Sequence, residues 1–232
     1  MRKITRLLSG FGVLSLVLLF SACTVVKIDE KDAGGDDQYA TWTKTGTGFQ
    51  AAEYVEAIWD DQIIPLYEEH SVSFRTLVDA LLSDRAAAIE QYALARESGE
   101  PYYVFKVNGT AIVVEYDDTS RNGVLRVDLE PADGTVDLTL QVGPVIRGTA
   151  IRDSAEFIRF TDIGNQLQFA ELANKLNERM RRDSVDSIDL AALVGGKISF
   201  LGVFRLGASE SLEEIVVTPV RIDVQQTGGQ DG

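Results

Sequence analysis

The spacing of apolar positions changes along the chain and divides it into regimes. Between residues 47 and 98 apolar side chains recur at helical intervals. "GFQAAEYVEAIW" reads as a helix with Thr47 as N-cap and Ala52, Val55 and Trp59 near one face, and Pro65 limits the segment that follows. Phe74, Leu77, Val78, Leu81 and Leu82 fall at i, i+3, i+4, i+7 and i+8, the pattern of a helix with one face on a core. Asp84 offers a cap for a further helix carrying Ile89, Tyr92 and Ala93.

From Pro101 the period becomes two. "YYVFKV" and "TAIVVEY" flank Asn108-Gly109, a dipeptide favoured in hairpin turns because both residues tolerate positive φ. "GVLRVDLE" places Leu125, Val127 and Leu129 on one face and Arg126, Asp128 and Glu130 on the other. "PADG" supplies a turn, "TVDLTLQV" directs Val136, Leu138, Leu140 and Val142 inward, and "PVIRGTAI" continues the meander after Gly143. Helical spacing returns in Phe169, Leu172, Ala173, Leu176 and Met180, with Asp162 as a nearby cap. Arg179, Arg181 and Arg182 suit the negative C-terminal end of that helix. Beyond Gly195-Gly196, "KISFLGVF" and "EIVVTPVRI" read as two strands, and Pro219 puts the last at an edge or a bulge.

The expected fold class is therefore α+β. A helical segment, 47–98, precedes an antiparallel β domain, 99–224, with one inserted helix. Three meander strands, a helix and two strands are the element order of an OB-like small barrel, here with an extra hairpin in front. A generic α+β sandwich fits the same order.

The N-terminus follows a different plan. Arg2, Lys3 and Arg6 precede an uncharged apolar run from Leu7 to Phe20, shorter than the roughly 20 residues that span a bilayer. Ser21 and Ala22 then precede Cys23, the only cysteine. The arrangement looks like a bacterial lipoprotein box, with residues 1–22 as signal peptide and Cys23 as the lipidated residue. It departs from the box in having Phe20 where leucine is preferred. A single acyl chain binds membranes marginally, whereas the two or three carried by a lipoprotein cysteine hold firmly. Thr24, in place of an aspartate that would favour inner-membrane retention, points towards the outer membrane. Residues 23–46 read as an acidic, glycine-containing tether, and 225–232 as a disordered tail.

Charge removes one class of function. The formal net charge of −14 becomes −17 once the signal, with three basic residues and no acid, is cut away. Such a chain repels phosphate backbones, so no nucleic-acid partner is expected. With Cys23 lipidated no internal disulfide can form.

Catalytic motifs are scarce. His70, the only histidine, follows Glu68 and Glu69 and reads as a solvated side chain. One histidine and no free cysteine argue against a zinc site, so no metal, cofactor or catalytic residue is assigned. Glu115, Asp117, Asp118 and Asn122 cluster without the spacing of a calcium loop, and turn chemistry accounts for them. Asn108-Gly109-Thr110 matches a glycosylation sequon that a hairpin explains. The polar residues Arg147, Arg152, Asp153, Asn165, Gln166, Asn174 and Asn177 stand among apolar positions. They are the candidate ligand or partner contacts; the alternative is a buried Arg–Asp pair with amide caps.

Several separated motifs also carry a resemblance over most of the mature chain. They are Trp59 and Pro65; Ser120-Arg121-Asn122-Gly123; Gly143-Pro144-Val145-Ile146-Arg147-Gly148-Thr149 with Arg152-Asp153; Asn165-Gln166; Ala173-Asn174; Leu176-Asn177; Gly202 and Phe204; and Pro219-Val220. In these the chain resembles a family of predicted periplasmic lipoproteins of unknown function. The resemblance implies a lipid anchor in the periplasm and no known activity. Members encoded beside sugar importers of the ATP-binding-cassette type imply importer subunits or a solute-binding protein as partners. The expected function is a non-enzymatic accessory of carbohydrate uptake. The alternatives are a structural envelope protein docking through its helical segment, or a carboxylate-based glycan hydrolase.

Overall fold

The computed structural model describes residues 48–95 and 101–225. The signal segment, Cys23, the tether, the Thr47 cap and residues 226–232 of the expected tail lie outside them, and the boundary expected at 98–99 falls in the gap; Gln225, expected in the tail, ends the last strand. The first described helix, α1 (Ala51–Ile58), follows Gln50 in extended conformation and runs into a π-helical turn, Trp59–Ile63, and then α2 (Ile64–His70). Pro65 has no N–H to donate, and the backbone adapts one residue earlier, where Ile64 N–H reaches back five residues to Trp59 O. Tyr54, Val55, Ile58, Trp59, Ile63 and Tyr67 are all buried by this run.

A two-residue strand, β1 (Val72–Ser73), interrupts the region expected to be wholly helical. Helices α3 (Phe74–Ser83) and α4 (Arg85–Tyr92) follow. Phe74, Leu77 and Leu81 are buried as the periodicity requires, while Leu82 turns outward and is 71% exposed. Asp84 caps α4 as expected, accepting from Ala87 N at 3.1 Å.

Strand β2 (Tyr102–Asp117) runs straight through Asn108-Gly109, so the expected hairpin is absent. Gly109 pairs with Phe200 in a later strand. A Cβ there would sit 2.8 Å from Phe200 Cε1 and 2.9 Å from Leu129 Cδ2, so the position serves close packing, not a positive φ. Asn108 Nδ2 donates to Ser71 O at 3.0 Å, tying the strand to the segment before β1.

The remaining strands are β3 (Val124–Leu129), β4 (Leu138–Gln141), β5 (Lys197–Gly207) and β6 (Val216–Gln225). They pair in the order β2-β3-β4-β6-β5, and β5 returns to β2 to close a barrel. With the hairpin gone, the order is three strands, helical crossover, two strands: an OB-like barrel. The sheet is not purely antiparallel. β4 pairs with β6 in parallel, as the crossover between β4 and β5 requires, and β1 adds to β2 in parallel. Pro219 sits at a bulge: Gly202 pairs with it while Leu201 pairs with Arg221.

Phe105, Val107, Ala111, Val113, Leu125, Val127, Leu140 and Phe204 are buried in the core. Phe105 stacks on Phe204 at 5.3 Å, and Phe74 of α3 meets Phe204 at 5.9 Å, joining the helical segment to the barrel. Two facing assignments change. Asp128 is buried, not solvated, because its carboxylate accepts from Gly134 N at 2.7 Å and Asp133 N at 3.3 Å in the turn after β3. Val136 is exposed because the next strand begins only at Leu138.

The stretch expected to extend the meander, "PVIRGTAI", is a loop to Thr149 followed by helix α5 (Ala150–Ser154). Two more helices, α6 (Phe160–Ile163) and α7 (Gln166–Ser184), and a 3-10 turn, Ala191–Leu193, complete the crossover, where one helix was expected. Asn165, not Asp162, caps α7, accepting from Gln168 N at 3.0 Å; Asp162 lies within α6 and pairs with Arg159. Leu172, Ala173, Leu176 and Met180 are buried as expected. Arg179 clamps α7 to the first helical run through Glu56 at 2.6 Å and Asp60 at 3.1 Å. Among the described residues no helix is long and apolar enough to cross a membrane.

Candidate functional site

The polar residues of the crossover separate into two groups. The first is bonded within itself, with Arg205 Nε left as a buried nitrogen without a hydrogen-bond partner. Asp153 Oδ1 accepts from Arg152 Nε and a terminal nitrogen at 2.9 and 2.6 Å, and Oδ2 accepts from Arg205 at 2.5 Å and from Thr149 Oγ1 at 2.7 Å. Arg205 also reaches Thr149 Oγ1. Arg152 spends its other terminal nitrogen on Phe169 O at 3.0 Å and lies over the Phe169 ring at 3.8 Å, while Arg205 covers Tyr102 at 4.4 Å. The network bolts α5 to β5 and α7. It matches the alternative reading of Arg152 and Asp153, a structural Arg–Asp pair, and leaves them little capacity for a ligand. Asn165 is likewise occupied as the α7 cap, and Gln166 is the exposed first residue of that helix.

The second group is open. β4 ends at Gln141, whose amide brackets the next loop: its Oε1 accepts from Arg147 N at 2.8 Å and its Nε2 donates to Arg147 O at 3.3 Å. The loop also locks onto the β2–β3 connection, where Val142 N donates to Gly123 O and Val145 N to Arg121 O, each at 2.9 Å. Gly143 packs against the backbone of residues 121–123 so closely that a Cβ would collide with it. This junction and α7 enclose a groove of about 230 Å³ lined by Pro144, Val145, Ile146, Asn174, Asn177, Glu178 and Arg181.

Inside the groove the apolar rim faces amides. Asn174 is exposed and its amide makes no hydrogen bond among the described residues. Asn177 is 7% exposed; its Nδ2 donates to Gly148 O at 3.1 Å, which leaves its carbonyl oxygen to accept. Arg181 holds Asp186 at 2.5 Å and Pro144 O at 3.2 Å. Glu178 is paired with Lys175 at 2.8 Å, which raises the Lys175 pKa above the usual lysine value. The guanidinium groups of Arg121 and Arg147 are exposed and unpartnered among the described residues.

A larger concave surface of about 460 Å³ lies on β2, β5 and β6. Its charges are already matched: Arg221 with Glu68 at 2.7 Å and Asp223 at 3.2 Å, Glu130 with Lys197 at 2.6 Å. It therefore offers fewer free groups than the smaller groove.

Other candidates carry little chemistry. His70 is largely exposed beside Glu69. Asp117 is held by Thr119 and Arg126, which keep its carboxyl below the usual carboxylate range, and Glu115 pairs with Arg126 at 2.7 Å. That cluster is an ion-paired turn, and among the described residues no group of acids and histidines is placed to hold a metal. Tyr67 is fully buried with its hydroxyl 2.5 Å from Ser154 Oγ, and burial pushes its pKa up. Lys106 is 4% exposed on β2 and its ammonium makes no hydrogen bond among the described residues; burial lowers its pKa, against the pull of Glu156.

Of the predicted contacts, Asn174 and Asn177 share the groove, and Arg147 follows its rim by one residue. Arg152, Asp153 and Asn165 serve the scaffold. Sequence reasoning gave Arg121, Glu178 and Arg181 no site role; only the i, i+4 spacing of Asn174, Glu178 and Asn177, Arg181 on one helix could have grouped them.

Barrel and crossover together define an OB-type domain. Residues 13–223 match the family described as predicted periplasmic lipoprotein, DUF2291, and the chain belongs to that family. Membership supports a periplasmic, membrane-anchored location. No curated protein matches the chain. Among solved structures it is similar to an OB-fold protein of Thermotoga maritima, TM0957, with 21% identity and a TM-score of 0.65, covering 77% of this chain and 99% of that one. That likeness establishes the fold alone.

Proposed function

We propose that the protein is a non-enzymatic periplasmic accessory, anchored through lipid on Cys23, that serves carbohydrate uptake by binding a sugar or a sugar-loaded solute-binding protein of an ATP-binding-cassette importer. The observation that carries the reading is the groove between the 144–147 loop and α7. It brings the Asn174 amide, unengaged among the described residues, and the free carbonyl oxygen of Asn177 into one lining with the apolar Val145 and Ile146, a combination that suits the hydroxyl edge and the C–H face of a sugar. Thr24 favours the outer membrane, from which the acidic tether would extend the domain to a soluble partner in the periplasm.

The rival readings have less support. Phe74, Leu77 and Leu81 are buried against the core, so the helical segment has little apolar face left for docking. Hydrolysis of glycans needs two carboxylates set about 5–9.5 Å apart with different protonation. Glu130 and Asp223, the acids of the larger concave surface, each have a cation beside them instead.

In-cell photo-crosslinking tests the proposal. A photoreactive residue replacing Asn174 should capture an importer subunit or solute-binding protein, and one replacing Thr110 on the larger surface should not. With Cys23→Ser, capture should fall as the protein leaves the membrane fraction. Capture of envelope-assembly proteins alone, or equal capture from both positions, would refute the reading.

A further inference from the structure

We propose that the ligand of the groove is a sugar bearing an anionic group, carboxylate or phosphate, and that Arg121 and Arg147 receive that group. The inference rests on the reading of the groove as a sugar site and adds the charge of its ligand.

With 36 acidic residues against 22 basic ones, a cation in this chain readily finds a carboxylate. Every other arginine of the described residues does find a partner. Arg126, Arg159, Arg179, Arg181, Arg182 and Arg221 hold side-chain carboxylates, as do Arg75, Arg152 and Arg205. Arg85 donates to the carbonyls of Gly207 and Glu210. Only the guanidinium groups of Arg121 and Arg147 make no hydrogen bond or ion pair among the described residues.

Their placement is shared. Arg121 accepts Val145 N–H on its carbonyl, and Arg147 lies two residues beyond Val145, itself a lining residue of the groove. The Gly143 contact and the Gln141 bracket fix both backbones beside the loop that lines the groove, within reach of a long side chain, and neither guanidinium is committed to a partner among the described residues. The one acid lining the groove, Glu178, is offset by Lys175. Amides for hydroxyls, an apolar rim and two uncommitted guanidinium forks are the features that a sugar acid or sugar phosphate requires. A guanidinium fork matches either anion in bidentate geometry.

Calorimetry on the lipidated full-length protein in detergent tests this, with galactose, galacturonate, galactose 6-phosphate and inorganic phosphate as probes. At low salt galacturonate or galactose 6-phosphate should bind about tenfold tighter than galactose. The double substitution Arg121→Gln, Arg147→Gln should abolish that preference and keep galactose affinity. Since neither guanidinium makes a hydrogen bond or ion pair among the described residues, the variant should melt with the wild type. Preference between the two acidic sugars tells carboxylate from phosphate. Equal, Arg-independent binding of galactose and both acidic sugars overturns the inference and leaves the groove as a sugar site. Inorganic phosphate binding as tightly as galactose 6-phosphate also overturns it, since the sugar then contributes nothing. Binding of no probe defeats the inference and the sugar reading of the groove together.

Discussion

Two pairs of arginines around the start of the crossover do opposite work. Arg152 and Arg205 converge on the two oxygens of Asp153 and lie against aromatic rings, with side chains only 13% and 26% exposed. Arg121 and Arg147 stand on two loops stitched together through their backbones, and their guanidinium groups make no hydrogen bond or ion pair among the described residues. The first pair holds the crossover to the barrel. The second is held in place by the fold and contributes nothing to it. Whether donors are already spent, rather than whether a residue is charged, is what separates scaffold from site here.

The harshest way to break this contrast is Asp153→Ala. It strands two partly buried cations and a threonine, and stability measured by urea unfolding should fall by about 3 kcal/mol. Next comes Gly143→Ala, which pushes a methyl group into the backbone of residues 121–123 and should cost about 2 kcal/mol. It should also separate the two loops, seen as faster amide exchange at Val142 and Val145.

Lys106 sharpens the comparison as a buried residue whose ammonium makes no hydrogen bond among the described residues. Lys106→Met should raise stability by about 1 kcal/mol at neutral pH. Because burial lowers the folded pKa of Lys106, the penalty is full below that pKa and is relieved as pH rises towards the ordinary lysine value. The advantage of methionine should therefore shrink at high pH. A gain that is constant with pH would place the effect in packing instead of charge.

The smallest effect concerns acid. Thr119 and Arg126 hold the Asp117 pKa below its unfolded value, so its contribution is present above the unfolded carboxylate pKa and is lost as pH falls through the folded one. Asp117→Asn should flatten the acid limb of a melting-temperature profile slightly and leave the neutral region nearly unchanged.

Much of the architecture was legible in the sequence because it rests on local chemistry. The α3 stripe, the Asp84 cap, the α7 stripe and the Pro219 bulge each follow from spacing or from a missing donor. The element order led to the OB-like barrel. Asn108-Gly109 misled because glycine serves two purposes, positive φ and absence of a Cβ. The choice between them was made by Phe200, far away in sequence. Asp128 looked solvated by alternation, but the turn at 133–134 recruits its carboxylate.

The candidate site was legible in part. Asn174 and Asn177 lie three apart on one helix and therefore share a face. Arg152 and Arg147 looked alike in sequence, and only the positions of Asp153, Arg205 and Phe169 distinguish them. Arg121 escaped notice as a site residue for the same reason: being unpaired is a property of the surroundings.

The most direct test places both arginine pairs in one experiment. Thermal melting and sugar binding would be measured together on wild type, Arg121→Gln with Arg147→Gln, and Asp153→Ala. The account predicts that the double variant melts with wild type but loses its preference for acidic sugars, while Asp153→Ala melts well below both. A double variant that melts early, or one that keeps the wild-type preference, would contradict it.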